Sequence, residues 1–129
     1  MSDRRRVAIV GLGVVSCAGI GLEAFWHGLN SAAPEGERRV PDFDPLPYYD
    51  NPKEARRADR SQPMATATAA IALEDAGELS SDPARCGVIY ATGVGGLQTF
   101  EEQVLVHDRK GERRVSPFMV PMIMPNAPG

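Results

Sequence analysis

Cysteine is scarce in this chain: its 129 residues hold two, Cys17 and Cys86, with no C-x-x-C spacing. Two thiols cannot build a disulfide scaffold, so both read as small buried groups in a reduced, cytoplasmic compartment. Histidine is equally sparse; His27 and His107 stand alone without ligand spacing, and no metal site is expected. No apolar run approaches the roughly 20 residues that cross a bilayer, which excludes a spanning protein. Charge of neither sign dominates, with a formal net charge of -3. No nucleic-acid or membrane partner is expected. What remains is a chain the size of one small domain, 43% hydrophobic, which supports a globular core.

The most conspicuous stretch comes after three arginines: VAIVGLGVVSCAGIG, Val7 to Gly21. It has three readings. A dinucleotide-binding turn needs G-x-G-x-x-G entering a helix; Gly11 and Gly13 fit, but Ser16 stands at the third glycine and no helical pattern starts before Leu22. A secretion signal is suggested by Arg4 to Arg6, the apolar Ala8 to Val15, and a lipoprotein-like Val14-Val15-Ser16-Cys17. The apolar part is short for an h-region of about 7–15 residues and carries β-branched residues and glycines. The third reading is a strand at Val7–Gly11 buried on both faces, as in a parallel sheet.

Downstream the elements alternate. Leu22, Phe25, Trp26 and Leu29 recur at helical spacing and predict a short helix with one apolar face. Residues 31–51 are rich in proline, glycine and acidic side chains and predict a long surface excursion, reaching to about residue 60. Ser61 as N-cap, Pro63 in the first turn and Gly77 as C-cap bound a second helix. Its interior, MATATAAIALEDA, is almost all small, so it is expected to be buried on more than one side, with Glu74 and Asp75 at its wet end. Gly87–Ala91 reads as a second buried strand. Strand, helix, helix, strand in this order argues for an α/β fold with a parallel sheet. Gly93, Gly95 and Gly96 then mark a tight turn, after which Leu97, Phe100 and Val104 restart a helical pattern. Glu101 and Glu102 are adjacent, diverge by about 100° on a helix, and read as a solvated face.

GLGVVS near the start, the spacing to ATGVGGLQTFEEQ and, most specifically, RRVSPFMVPMIMPN (Arg113 to Asn126) resemble the N-terminal portion of β-ketoacyl-acyl carrier protein synthases, in particular the discrete elongating enzymes of type II fatty-acid synthesis. The resemblance covers nearly the whole chain. It implies the N-terminal part of a thiolase-like fold, layered αβαβα in the full-length family, with Val7–Ser16 as its first core strand and turn. It also implies a decarboxylative condensation in which an acyl chain rides on a cysteine thiolate, two histidines assist decarboxylation of malonyl-carrier protein, and the carbanion attacks the thioester. No cofactor is implied.

The family's catalytic cysteine, histidines and lysine match no position here, so the chain alone is expected to be inactive. Cys17 stands where most relatives carry proline, and Met119 where many carry phenylalanine. The end departs from the family after Asn126, which suggests a truncated or incomplete reading frame. By the same resemblance Phe100 lines and limits the acyl tunnel and Met119 helps close it, in relatives from across the dimer. Lys53, Arg56, Arg57, Arg113 and Arg114 match positions that contact an acidic acyl carrier protein. The implied assembly is a homodimer, with the apolar run Phe118 to Met124 too hydrophobic for water. The alternative is a non-catalytic piece of a ketosynthase-like, polyketide-type protein used for carrier docking or dimerisation, or a lipoprotein acylated at Cys17.

Overall fold

In the computed structural model, residues 6–33, 35–36, 38–40 and 43–126 are described. Arg4 and Arg5 of the basic opening, and the divergent end at 127–129, lie outside them. The elements run as a hairpin of β1 (Val15–Ser16) and β2 (Gly19–Ile20), then α1 (Leu22–Leu29), α2 (Pro52–Ala55), α3 (Ser61–Ala76), α4 (Leu97–Lys110) and α5 (Met119–Ile123). Short 3-10 turns lie at Leu46–Tyr48, Pro83–Arg85 and Glu112–Arg114. Two compact units are present, Met1–Asp42 with Thr68–Ser80, and Phe43–Ala67 with Ser81–Gly129; the division falls inside α3.

In the first unit the glycines of the opening run have a packing role. A side chain on Gly11 would meet the carbonyl oxygen of Ala72 and come within 2.8 Å of Ala76 Cβ. One on Gly13 would meet the carbonyl oxygen of Thr68 and come within 2.8 Å of Ala72 N. Two glycines on one side and alanine and threonine on the other let the backbones approach, and the Leu12 N–H donates to Asp75 Oδ2 at 2.9 Å. The β1–β2 pair is antiparallel, with Val15 opposite Ile20, and α1 packs on β2. There Gly28 lies where any side chain would meet the Ala18 carbonyl oxygen.

Several expectations are corrected. Among the described residues there is no parallel sheet: neither Val7–Gly11 nor Gly87–Ala91 is a strand, and Val7 is 94% and Ile89 101% exposed. A strand needs a ladder partner, and none of the described residues supplies one. For the same reason the apolar core is small, with Ala55 and Ala67 buried and, among the described residues, no large side chain fully buried. The apolar face of α1 is covered only in part: Leu22 and Phe25 are half-buried, while Trp26 is 68% exposed. Cys17 is half-buried and Cys86 exposed, so neither is a core thiol.

The small-residue helix α3 appears as expected and holds the buried Pro63 and Ala67. It ends at Gly77, whose φ of 66° is open to glycine and whose N–H donates to the Glu74 carbonyl. Its N-cap differs from the expectation. Ser61 is the first helical residue, and Asp59 receives its backbone N–H at 3.0 Å and its hydroxyl at 2.9 Å. Aspartate is as good a cap as serine, and Asp59 has the longer reach.

Candidate functional site

The second unit places its chemistry around the start of α4. The GVGG turn before it is compact for two different reasons. Gly95 has a φ of 80°, which non-glycine residues rarely adopt. Gly96 has an ordinary φ of -78°, but a side chain there would meet the Met122 carbonyl oxygen and come within 3.0 Å of both Ile123 Cα and Asp59 Cγ. The turn is thus pressed onto α5 and onto the Asp59 carboxylate. The Gly96 N–H donates to the Ile123 carbonyl at 3.4 Å.

Asp59 stands two residues before α3, and only that position marks it in the sequence. It is 4% exposed and accepts four hydrogen bonds: the two from Ser61, and two on Oδ2 from Thr99, the hydroxyl at 2.7 Å and the N–H at 3.3 Å. Gly96, the N-cap of α4, has no side chain to offer, so a carboxylate 40 positions away from Thr99 takes the capping role. One negative charge thereby serves the positive ends of two helices. Burial alone would push the Asp59 carboxyl up, but the bonds from Ser61 and Thr99 outweigh it and hold the group below the ordinary carboxylate value. One turn along α3, Gln62 Nε2 donates to the carbonyls of Met122 at 3.1 Å and Pro121 at 3.4 Å.

Next to this frame lies an apolar hollow of about 250 Å³ lined by Val94, Gly96, Leu97, Phe100 and Ile123. Phe100 is 45% exposed, while its neighbour Thr99 turns inward. Met119 lines a separate hollow of about 180 Å³ with Gln103, Val104, His107 and Val115. The structure therefore does not bring Phe100 and Met119 to one cavity; they sit at successive hollows along α4. The segment that carries Met119 is anchored by Gln103, whose Oε1 receives the Ser116 N–H at 2.7 Å.

Lys53 lies in α2, Arg56 and Arg57 just after it, and Arg113 and Arg114 in the turn after α4. All five are exposed. Arg57 is not loose: its guanidinium lies 4.6 Å from the centre of the Phe118 ring, a cation–π contact that ties the first basic cluster to the segment following the second. Glu101 and Glu102 are exposed, and Glu102 accepts from Gln98 Nε2 at 2.9 Å. Among the described residues no group of three His, Cys, Asp or Glu side chains is placed to hold a metal ion.

Residues 29–129 match the family model of the β-ketoacyl synthase N-terminal domain. The chain belongs to the β-ketoacyl synthase family. It is 35% identical to a 3-oxoacyl-[acyl-carrier-protein] synthase 2 of Synechocystis sp., over 96% of this chain and 34% of that protein. It is 34% identical to the enzyme of the same name in Staphylococcus aureus, over 98% of this chain. This β-ketoacyl synthase chain thus spans about a third, 34%, of the length of the curated relatives it matches. Its backbone also matches, with a TM-score of 0.81 and 25% identity over 97% of the chain, a type II polyketide ketosynthase solved with its acyl-carrier protein and bound to a hexaketide. Helix-dominated by itself, the chain is similar in backbone to 37% of that ketosynthase chain. No helix among its described residues is long and apolar enough to cross a membrane.

Proposed function

We propose that this chain is the N-terminal third of a condensing enzyme. The enzyme would join an acyl thioester to malonyl-acyl carrier protein, with loss of carbon dioxide, in fatty-acid chain elongation. The observation that carries the reading is the agreement between the family match over residues 29–129 and relatives named 3-oxoacyl-[acyl-carrier-protein] synthase 2 along 96% of the chain. In this reading the acylated cysteine and the two histidines belong to the remaining length of the enzyme. Residues 1–129 contribute part of its N-terminal domain, with the segment at about 31–60 as a surface excursion.

The chain's own residues have two roles. Phe100 walls an apolar hollow suited to a hydrocarbon chain, which gains about 0.8 kcal/mol for each methylene it buries; Met119 closes the neighbouring hollow. Lys53, Arg56, Arg57, Arg113 and Arg114 form an exposed basic surface for an acidic carrier, in a chain whose net charge is -3. Val120, 62% exposed, and Met124, 44% exposed, leave apolar surface open on and beside α5, which supports a homodimer interface there. A second reading, a polyketide-type ketosynthase, draws support from the structural match with the hexaketide-bound enzyme.

Carrier docking predicts a split in kinetics. Changing Arg56 and Arg113 to glutamate in the native-length enzyme should raise KM for carrier-bound substrate by about tenfold, since two reversed charges cost on the order of 1.4 kcal/mol together. Self-acylation from a small thioester should be spared, and the defect should shrink in high salt. Equal loss with both substrates would point to folding damage, and no loss with either would remove docking from the mechanism. Arg57 is left intact in this test because its contact with Phe118 is structural.

A further inference from the structure

The apolar hollow beside Phe100 has two walls, and both are tied to the segment that leads into α3. Thr99, directly before Phe100, is held through two hydrogen bonds to Asp59 Oδ2. The Met122 carbonyl, directly before Ile123, is held by Gln62 Nε2 at 3.1 Å. Between them Gly96 lines the hollow on one side and lies against the Asp59 carboxyl on the other, with no room for a side chain. The rest of the hollow's lining is apolar and exposed: Val94, Leu97 and Phe100 carry no polar side-chain group that could fix their position. The separation of the walls is therefore set from behind, by the start of α3.

We infer that Asp59 and Gln62 are positioning residues that set the depth of the apolar hollow between Phe100 and Ile123, and with it the length of acyl chain accepted. This rests on the reading of that hollow as an acyl site. Asp59 is suited to the task because its two oxygens face two helices: Oδ1 receives Ser61 and Oδ2 receives Thr99. An asparagine has one acceptor oxygen, so it can accept the backbone N–H of Ser61 or of Thr99 but not both. Thr99→Val is the finer probe. It removes the hydroxyl at nearly constant volume and leaves the α3 cap untouched.

The test places Asp59→Asn, Thr99→Val, Thr99→Ser and Phe100→Ala at the native locus, so that the protein is assayed at its natural length. Elongation is then measured with carrier-bound acyl chains of eight, twelve and sixteen carbons. Asp59→Asn and Thr99→Val should each raise the kcat/KM ratio of long to short chains by about threefold to tenfold, as Phe100 recedes. Thr99→Ser, which restores the hydroxyl, should return the ratio to that of the unmodified enzyme. A merely structural role would lower all chain lengths together and leave the ratio unchanged. That outcome, with Phe100→Ala still shifting the profile, overturns the inference and leaves the acyl-site reading standing. If Phe100→Ala also leaves the profile unchanged, the acyl-site reading itself fails. Should Asp59→Asn not accumulate as folded protein, the valine and serine variants at Thr99 decide the matter alone.

Discussion

Replacing Gly13 with valine is expected to detach the N-terminal run from α3, at a cost of about 3 kcal/mol or more. The reason is local and steric. Any β-carbon at Gly13 meets the Thr68 carbonyl oxygen, with Ala72 N at 2.8 Å and the Thr68 carbonyl carbon at 3.1 Å. All of these are backbone atoms of a helix and cannot swing aside as a side chain could. A useful contrast is Gly77→Ala. A β-carbon at Gly77 would have nothing within 4 Å, and the position is constrained only by its φ of 66°, so that change should cost about 1 kcal/mol. Hydrogen exchange along Thr68–Ala76, combined with denaturant unfolding, separates the two. Similar losses at both positions would contradict close approach as the role of the opening glycines.

Replacing Asp59 with alanine should cost about 3 kcal/mol, because it leaves the Thr99 hydroxyl and the two helix N-termini without their buried acceptor. The effect should depend on pH with a definite sign. The Asp59 carboxyl is held below its ordinary value in the folded chain. A depressed folded pKa means that its stabilisation is present above the unfolded carboxylate pKa of about 3.9 and is lost as pH falls through the lower folded value. The gap in stability between the unmodified chain and Asp59→Ala should therefore be widest near neutrality and narrow below about pH 4. Chemical denaturation from neutral pH down to well below that value reads this directly; a gap that stays constant to the lowest pH would show that the carboxylate charge is not what binds the two helices.

The sequence was most legible where a signal is local. Helical spacing of Leu22, Phe25, Trp26 and Leu29 marked α1, the small-residue run closed by Gly77 marked α3, and the glycines at 93–96 marked the start of α4. It misled where the outcome depends on partners distant in sequence. Val7–Gly11 and Gly87–Ala91 have strand composition, but a strand forms only against a ladder partner, and none is supplied by the described residues. The opening run gave three readings, a dinucleotide turn, a secretion signal and a buried strand, and the strand is not formed; what Gly11 and Gly13 do is let the run lie against the backbone of α3.

The site was legible in the same uneven way. The resemblance pointed to Phe100 and to the basic residues, and periodicity placed Phe100 with Leu97 and Val104 on α4. Yet the residue that α4 buries there is Thr99, chosen by Asp59 rather than by hydrophobicity. Asp59 had a partial signal, since an aspartate two residues before a helix is a capping residue in its own right. Its second partner lies 40 residues away, beyond the reach of any local pattern. The division of Phe100 and Met119 between separate hollows likewise follows from the path of the chain and from no local pattern.

Whether the native protein is a condensing enzyme is tested most directly by an elongation assay on the natively purified protein, with its intact mass determined in parallel. With acyl- and malonyl-carrier protein it should form the two-carbon-longer 3-oxoacyl carrier and release one carbon dioxide per turnover, from a polypeptide of a length like that of the relatives, of which this chain covers 34%. Absence of elongation, or a mature chain that begins at an acylated Cys17, would contradict that function.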